Sequence, residues 1–203
     1  MDIKRFLEKL GSAAPTPGGG SASALAGAVS ASLILMTAGL SLKKGKLKEK
    51  EIREIKKEVL AIQKRLFRAI EEDAKSYKTV LRAFRLPKNT EKERLVRTKA
   101  IQKAYQKATV TPQLVCQQSM RLLEYSHVLI KKGNPNAVSD AGVAAFLADA
   151  AIKGGSINIC INLSPIRGKS FRKKMGLLVG TLEKRRNRLM VKVEKALRRT
   201  LAI

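Results

Sequence analysis

The sequence predicts an all-α protein, a single-domain bundle of several long antiparallel helices that spans residues 1–203. Apolar residues recur three and four positions apart through most of the chain, which is the period of a helix. No segment shows the sustained alternation that is typical of a strand. Aromatic residues make up only 4% of the chain, and there is no tryptophan. The core must therefore consist of Ala, Leu, Ile and Val, which suits closely packed helices.

The first half of the chain divides into three predicted helices. Residues 2–10 form a short amphipathic helix, and a turn rich in Pro and Gly follows it. The second helix runs from about 21–42 and is capped by Ser21 or Gly20. The third covers about 47–86, which is a length of about 60 Å at 1.5 Å per residue. Such a length implies either a projecting arm or a partner subunit that covers it.

Capping residues and prolines mark the helices that come next. Thr90 and Glu93 have the spacing of a capping box, which predicts a helix over about 91–110. Pro112 suits the first turn of the following helix, because the first turn needs no backbone N–H from it. That helix extends to about residue 132, where a glycine ends it.

The last part of the chain contains two further helices and one ambiguous segment. A helix is predicted over 141–153, and the pair Gly154-Gly155 is expected to break it. Residues 156–163 fit either a short strand or a short buried helix. A basic helix over about 170–201 completes the chain.

No charged residue occurs between Gly11 and Leu42, a stretch long enough to cross a bilayer. Its first half is broken by Pro and Gly, and the helix that follows contains Ser, Thr and Gly. We therefore expect a buried helix of a soluble protein rather than a membrane span. A signal peptide would have a basic start followed by a Leu-rich core, whereas here an amphipathic segment, residues 2–10, leads into a turn of Pro and Gly, so a cytoplasmic location is expected.

The chain is strongly basic, with 42 Lys and Arg against 16 Asp and Glu, a net charge of +26 and a pI of about 10.5. Such a charge attracts nucleic acid, an anionic membrane surface or an acidic small molecule. Aromatic residues interleaved with the basic ones, as base stacking requires, are absent, and no helix-turn-helix, zinc-finger or RNA-binding signature occurs. Nucleic-acid binding is therefore not favoured, but a basic helical protein that binds nucleic acid or acts in an assembly stays open as an alternative.

The residues that bind metals or form catalytic triads are scarce. The two cysteines, Cys116 and Cys160, lie far apart in apolar stretches and are expected to be reduced thiols. His127 is the only histidine, so neither a zinc site nor a Ser/His/Asp triad is predicted. The glycine triplet lacks the Lys and Ser/Thr that complete a phosphate-binding P-loop.

Two distant segments have the character of a ligand site. One is residues 15–23, with the sequence PTPGGGSAS, and the other is residues 134–141, with the sequence NPNAVSDA. Each is a rigid or Gly-rich turn that leads into a helix of small residues, whose first N–H groups have no partner within the helix. The second turn also carries Asp140 in a region nearly free of acids. We expect the two turns to meet in one cleft that holds a ligand with both anionic and cationic parts.

Several other polar residues are candidates for this cleft. Asn158 and Asn162 are four apart, so on a helix they share one face, and between apolar neighbours they need partners. Asp73 and Tyr77 have the same spacing on the long third helix. Each candidate also has an ordinary structural interpretation: Asp140 as a helix cap, the turn amides such as Asn134 as turn formers, and Asp73 as a surface acid.

The chain resembles the cyclodeaminase/methenyltetrahydrofolate cyclohydrolase family over about residues 1–200. The opening motif, PTPGGGSASALAGA at residues 15–28, carries the resemblance most specifically. The remaining motifs follow in the order of the family: Asp73, Tyr77 and Val80; Ala83 and Leu86-Pro87-Lys88; Arg97 and Ala100-Ile101-Gln102; Ala104, Ala108 and Pro112; Asn134, Asn136 and Ser139-Asp140-Ala141; and Asn158, Ile161, Asn162 and Leu163.

The resemblance implies an all-α subunit, a homodimer and a folate substrate. The favoured activity is hydrolysis of 5,10-methenyltetrahydrofolate to 10-formyltetrahydrofolate. The alternative is cyclodeamination of a formimidoyl folate, with release of ammonia to give 5,10-methenyltetrahydrofolate. Neither reaction requires a metal, and no cofactor is expected beyond the tetrahydrofolate derivative that serves as substrate. We expect no formimidoyltransferase domain, because the chain is too short for one, and the high positive charge departs from what the family leads us to expect.

The resemblance also suggests roles for particular residues. Asp140 is predicted to act as an acid/base or to stabilise the cationic carbon, with Asn134 beside it. The predicted substrate-binding residues are Gly18, Gly19, Gly20, Ser21, Asp73, Tyr77, Lys88, Asn158 and Asn162. Within this set the amides orient the substrate or water, Lys88 meets a substrate carboxylate, and Asp73 and Tyr77 are second contributors to catalysis.

Overall fold

The computed structural model describes residues 2–201, and within this range it contains helices and no strand. The predicted all-α fold class is confirmed. A single 3₁₀ turn, Pro135–Ala137, precedes the sixth helix. The α-helices are α1 (Ile3–Leu10), α2 (Gly19–Leu40), α3 (Glu49–Phe84), α4 (Glu91–Ala108), α5 (Val110–Lys132), α6 (Val138–Leu163) and α7 (Lys169–Leu201).

The helix α2 lies at the centre of the bundle, between α3 and α6, and runs antiparallel to both. The Ser30 hydroxyl donates a 2.7 Å hydrogen bond to the carbonyl of Ala144, which joins the middle of α2 to α6. At the far end the Asn134 side chain donates to the carbonyl of Leu40 at 2.9 Å. The start of α6 therefore lies beside the end of α2, and the end of α6 lies beside the start of α2.

The main core lies between α2, α3, α5 and α6, and α7 closes it on one side. Its largest fully buried side chains include Ile34, Ile52, Leu66, Leu122, Leu123, Ile152 and Ile159. Small residues on α2 let the neighbouring helices come close, as Gly27 does against Leu66 and Ser119. A second, smaller cluster joins α3 to α4 through Val80, Ala83, Ala104 and Ala108.

The helix α3 is continuous over 36 residues. It begins and ends two residues inside the predicted range of 47–86. An apolar stripe shows where a helix lies but does not fix the residue at which it begins or ends. The predicted capping box before α4 is present: Thr90 Oγ1 accepts from the amide of Glu93, and the Glu93 carboxylate accepts from the amide of Thr90.

The predicted start of α2 was wrong by two residues. The helix begins at Gly19, and its cap is Gly18, which has extended backbone dihedrals and no side chain to accept a hydrogen bond from the first turn. Ser21 is therefore inside the first turn. Its hydroxyl is 2.9 Å from the carbonyl of Ile70 and 3.0 Å from the carboxylate of Asp73, both on α3. The serine thus joins two helices rather than capping one.

The predicted break at Gly154-Gly155 was also wrong, since α6 passes through both glycines without interruption. Their lack of a side chain serves close packing: a methyl group on Gly154 would overlap the Ser23 hydroxyl of α2, and one on Gly155 would come within 2.5 Å of Cys116 Sγ on α5. The ambiguous residues 156–163 are accordingly helical. The same helix begins at Val138 after Ala137, so Asp140 lies in its first turn and is not its cap.

Two stretches, α2 and Pro135–Leu163, are long and apolar enough to cross a membrane by length and composition alone. In the bundle, 50% and 44% of their most apolar windows are buried. The central helices of a helical bundle have this same composition, because they pack against other helices on several sides.

Candidate active site

A cavity of about 440 Å³ opens at the end of the bundle where α2 begins and α6 ends. The Pro-Gly turn, α3, α4 and the end of α6 form its walls. The Thr16–Pro17 peptide bond in the turn is cis. The lining residues are Pro15, Thr16, Gly18, Gly19, Gly20, Asp73, Ser76, Tyr77, Val80, Tyr105, Ala108, Asn158, Ile161, Asn162, Ser164 and Pro165.

Asp73 is the only charged side chain that lines this cavity among residues 2–201. Its carboxylate lies directly against the α-carbon of Gly20, at the position where any other residue would carry a Cβ. The Ser21 hydroxyl lies 3.0 Å from Asp73 Oδ2 and donates to it. The Ser21 amide, in the first turn of α2, also donates to this carboxylate, so the helix terminus favours its negative form.

Burial raises the pKa of Asp73 above its ordinary value, and this is the largest influence on the group. Hydrogen bonds from the Ser21 hydroxyl and the Ser21 amide oppose the rise in pKa, but they do not cancel it. A carboxylate with a raised pKa accepts a proton more readily than an ordinary aspartate. It also attracts a cationic ligand group, since the surrounding walls are uncharged.

The face of α3 that lines the cavity extends for two turns beyond Asp73. Ser76, Tyr77 and Val80 follow it at three, four and seven positions, which places them on one side of the helix. Across the cavity lies Tyr105 of α4, whose ring packs edge-on against Phe84 with the ring centroids 6.2 Å apart. The two tyrosines provide aromatic surface to the cavity wall.

The predicted shared face of Asn158 and Asn162 is present on the last turns of α6, and both amides line the cavity. Asn158 Nδ2 donates to the carbonyl of Gly154 at 2.8 Å, and Asn162 Nδ2 donates to the carbonyl of Ala108 at 3.1 Å. These bonds fix each NH₂ group. The amide oxygens accept no protein hydrogen bond among the described residues, so they are free to accept one from a ligand.

The turn after α6 is held by Gln102 of α4. Its Nε2 donates to the carbonyl of Pro165 at 2.9 Å, while its Oε1 accepts from the amide of Arg167 at 2.7 Å. This pair of bonds positions Ser164 and Pro165 at the edge of the cavity.

The structure brings together most of the predicted substrate-binding residues. Seven of them line the cavity: Gly18, Gly19, Gly20, Asp73, Tyr77, Asn158 and Asn162. Ser21 is buried behind Asp73 and acts on it through the hydrogen bond. Lys88 is exposed in the turn after α3 and is not part of the cavity wall.

The two residues predicted to be catalytic lie elsewhere in the subunit. Asp140 is in the first turn of α6, and Asn134 binds the end of α2, whereas the cavity is at the opposite ends of both helices. Along α6, Asp140 and Asn158 are separated by about 27 Å at 1.5 Å per residue. Within one subunit the two turns therefore do not form a single cleft. The antiparallel packing of α2 on α6, which the sequence does not reveal, is the reason.

Three cavity residues escaped the interpretation of the sequence. Ser76 could have been predicted from the sequence, because it lies three residues after Asp73 and four before Val80, which is helical spacing. No pattern in the sequence indicates Tyr105 or Ser164, since they reach the cavity only through the packing of α4 and of the turn after α6.

Comparison with known proteins links this chain to folate enzymes. Residues 2–177 match the family model described as formiminotransferase-cyclodeaminase. A curated relative from Methylorubrum extorquens, named methenyltetrahydrofolate cyclohydrolase, is 34% identical over 171 residues, which is 83% of this chain and 82% of the relative. The formimidoyltransferase-cyclodeaminase of Rattus norvegicus is 28% identical over 85% of this chain, but the chain spans only 32% of that relative's length.

A solved structure has the same fold. The crystal structure of formiminotetrahydrofolate cyclodeaminase from Thermotoga maritima superposes with a TM-score of 0.89 and 26% sequence identity. The match covers 99% of this chain and 98% of the other.

Proposed function

Since the chain belongs to the formiminotransferase-cyclodeaminase family, we propose that it is a folate enzyme that hydrolyses 5,10-methenyltetrahydrofolate to 10-formyltetrahydrofolate. The relative named methenyltetrahydrofolate cyclohydrolase supports this activity, because its similarity extends over most of both chains. The observation on which the proposal rests is the half-buried carboxylate of Asp73, in a cavity whose wall has no other charged side chain among the described residues.

The charge of the substrate matches this cavity. The methenyl carbon joins N5 and N10 of the folate as an amidinium, which carries one positive charge. A carboxylate fixed in an uncharged cavity stabilises such a cation more strongly than water does, because it does not have to reorient. The two tyrosine rings and the small residues of the walls suit the flat pterin and aminobenzoate rings.

The hydrolysis requires one proton acceptor near the cationic carbon. A water molecule attacks the methenyl carbon, a C–O bond forms, and Asp73 takes the proton that the water loses. The hydroxyl on that carbon then loses its proton and becomes the formyl C=O as the bond from the carbon to N5 breaks, and N5 takes up this second proton. The net reaction consumes one water, releases one proton and leaves the formyl group on N10.

Other cavity groups hold the substrate. Asn158 and Asn162 belong to the cavity wall, and their amide oxygens accept hydrogen bonds from pterin N–H groups or from the attacking water. The free N–H groups of Gly19 and Gly20 at the start of α2 bind an anionic or carbonyl oxygen of the ligand.

The second candidate activity is the cyclodeaminase reaction. It is favoured by the Thermotoga maritima structure, whose fold covers nearly the whole chain. In that reaction N10 attacks the formimino carbon on N5, and the C–N bond to the leaving ammonia breaks. The same carboxylate would pass a proton to the leaving nitrogen, so the cavity alone suits both reactions.

We also propose that the protein is a homodimer. The exposed outer faces of α2 and α6 carry Val29, Met36, Val143, Phe146, Ile157 and Ile161. Contact through these faces removes apolar surface from water, and it keeps the Lys and Arg residues of two chains of charge +26 away from the interface.

Two assays separate the candidate activities. Enzyme-dependent loss of the methenyl absorbance, compared with the rate in buffer alone, supports the cyclohydrolase. Release of ammonia from 5-formiminotetrahydrofolate supports the cyclodeaminase. A protein that accelerates neither reaction, and binds neither folate in a fluorescence titration, would exclude the proposal.

A further inference from the structure

A basic groove runs along the seam between α5 and α7. It consists of two adjoining cavities of about 460 and 490 Å³, and Lys192 belongs to the walls of both. None of the residues that line this groove lines the candidate active site. Leu197 of α7 lies beside Gly142, near the start of α6, whereas the candidate active site is at the end of α6. The basic groove is therefore separate from the cavity that the proposed folate activity uses.

The positive charges of the basic groove are not neutralised within the part of the chain that the structure describes. Its one acid, Glu124, already binds Arg121 at 3.1 Å and also Arg185. The lining cations that form no ion pair with any of residues 2–201 are Lys131, Lys184, Arg188, Lys192, Lys195 and Arg199. Cations held this close repel one another, and an anion in the groove relieves that repulsion.

The histidine of the groove reports the same positive field. Burial is the main cause that lowers the pKa of His127, and the charges of Lys131 and Lys192 lower it further. The imidazole therefore adds no hydrogen-bonding anion of its own, and the lysines around it stay available to a ligand.

Along α7 the groove cations form a row on one side of the helix. They follow one another at three or four positions, which is the spacing of one helix face: Arg185, Arg188, Lys192, Lys195 and Arg199. The row is about 21 Å long at 1.5 Å per residue.

The acids of α7 lie on the other side. This helix has twelve Lys and Arg residues but only two acids, Glu183 and Glu194. Glu183 is nine positions from Lys192, and Glu194 is nine positions from Arg185. Nine positions are two and a half turns of a helix, so both carboxylates project away from the row. The sequence of α7 thus separates its two signs of charge between opposite faces.

A long row of cations without an apolar centre suits a regular polyanion. One strand of a nucleic-acid duplex advances about 3.4 Å per phosphate, so the row extends along about six phosphates. No Phe, Tyr or Trp lines the groove among the described residues, which leaves nothing on which an unpaired base would stack. In a duplex the bases are already stacked, and the phosphates face outward.

A membrane surface and an acidic protein fit the groove less well. A helix that binds a membrane inserts an apolar face, but the large apolar residues of α7 at Met190, Val193 and Leu197 are buried in the core. Val191 is exposed, but it is one position from Lys192 and so projects about 100° away from the row. A protein partner gains most of its affinity from aromatic or apolar anchors, which the groove does not offer.

We propose that the basic groove binds the phosphate backbone of double-stranded nucleic acid, without regard to base sequence. The activity is additional to the proposed folate reaction and does not depend on it. The sequence lacks the signatures of base recognition, and phosphate contacts need none of them.

Fluorescence anisotropy with labelled DNA duplexes tests the proposal. Two duplexes of about 20 base pairs and different base composition should bind with equal affinity, and the affinity should fall steeply between about 50 and 200 mM NaCl. The groove variant combines Arg188→Gln, Lys192→Gln and Lys195→Gln, all of them exposed positions. Losing three phosphate contacts should reduce the slope of log affinity against log salt by about three.

The matched control removes three charges elsewhere. Lys50→Gln, Lys57→Gln and Lys64→Gln lie on the exposed side of α3, and the combined variant has the same net charge as the groove variant. Its salt slope should stay that of the wild-type protein, because the long-range attraction changes equally in both variants. Circular dichroism and thermal melts establish that both are folded, and both should keep wild-type turnover with the methenyl folate.

Four results overturn the proposal. The first is a wild-type protein that does not bind duplex DNA at about 50 mM NaCl, where phosphate contacts are strong. The second is an equal loss of slope in the two variants, which would make the attraction a property of the whole surface. The third is tighter binding of a single strand than of its duplex. The fourth is binding to vesicles of phosphatidylserine and phosphatidylcholine that the groove variant loses while it keeps duplex binding. A protein inactive toward folates that still binds the duplex through the groove removes the proposed folate function alone.

Discussion

The carboxylate of Asp73 occupies the space that a side chain on Gly20 would need. A methyl group on Gly20 would come within 2.6 Å of Asp73 Cγ, well inside van der Waals contact. The two residues belong to different helices and are 53 positions apart in the chain. The glycine in the first turn of α2 is therefore what lets α3 bring its carboxylate to the hydroxyl and the amide of Ser21.

Gly20→Ala should displace this carboxylate and lower turnover by about 10²-fold, the scale expected when a reacting group is misplaced by about an ångström. The protein should still fold, because the displaced atoms are the mobile end of a side chain. Gly39→Ala on the same helix is the matched control, since no atom lies within 4 Å of its added methyl group. Equal turnover in the two variants would contradict the assigned role of the contact.

Asp73→Asn should lower the rate of methenyl hydrolysis by about 10²- to 10⁴-fold, because the proton acceptor is lost. The melting temperature at neutral pH should stay the same or rise, since the variant no longer holds a partly desolvated negative charge. Glu72→Gln, which neutralises the exposed neighbour on α3, provides the control and should leave turnover unchanged. A stable Asp73→Asn enzyme of normal activity would remove Asp73 from the mechanism.

The pH dependence should follow the raised pKa of Asp73. Turnover depends on the ionised form, so it should fall as the pH drops through a pKa above the ordinary 3.8 of the group. The contribution to stability has the opposite sign. Because the folded-state pKa exceeds the unfolded one, the stability from this group is fully present below the unfolded pKa and is lost as pH rises through the folded pKa. Turnover and melting temperature measured from pH 4 upward should therefore move in opposite directions through this group.

Gly155→Ala should destabilise the fold by about 1–3 kcal/mol, the usual effect of overpacking a core. Its methyl group would lie 2.5 Å from the buried Cys116 Sγ and 3.1 Å from the carbonyl of Pro112, and a backbone carbonyl cannot rotate away. Gly176→Ala has open space around it and should stabilise α7 by about 0.5–1 kcal/mol. Chemical denaturation measures the free energy of unfolding of both variants. An unchanged value for Gly155→Ala would show that α5 and α6 can move apart at little cost.

Phe146→Lys should weaken the proposed dimer by about 10²-fold or more, since it places like charges on both sides of the α6 face. Sedimentation measured over a range of protein concentrations reports the change. Leu177→Lys, an exposed apolar residue on α7, supplies the control with the same added charge. Dimers of equal strength in both variants would move the interface away from α6.

The sequence was informative wherever the signal was local. The apolar period of residues 47–86 predicted a single long helix, and α3 is continuous from Glu49–Phe84. The Thr90 and Glu93 pair predicted the start of α4. The spacing of Asn158 and Asn162 predicted a shared face, and both amides line the cavity.

The predictions were wrong where a residue contacts a helix that is distant in the sequence. Gly154 and Gly155 have the composition of a helix break, but α2 and α5 pack against them and the helix continues. Ser21 is of the residue type that usually caps a helix, but its hydroxyl makes its hydrogen bonds with α3 instead. In each case a tertiary contact decided the conformation or the partner, and local propensity is too weak to oppose such a contact.

The sequence by itself determined the all-α class, the family resemblance and most of the polar residues that line the cavity. Only the tertiary structure decided which of them meet. The antiparallel packing of α2 on α6 joins Gly19 to Asn158 and sends Asp140 to the opposite end of the subunit. The physical reason is that helical period and capping are properties of neighbouring residues. The direction in which two helices pack depends on the complementarity of their whole surfaces.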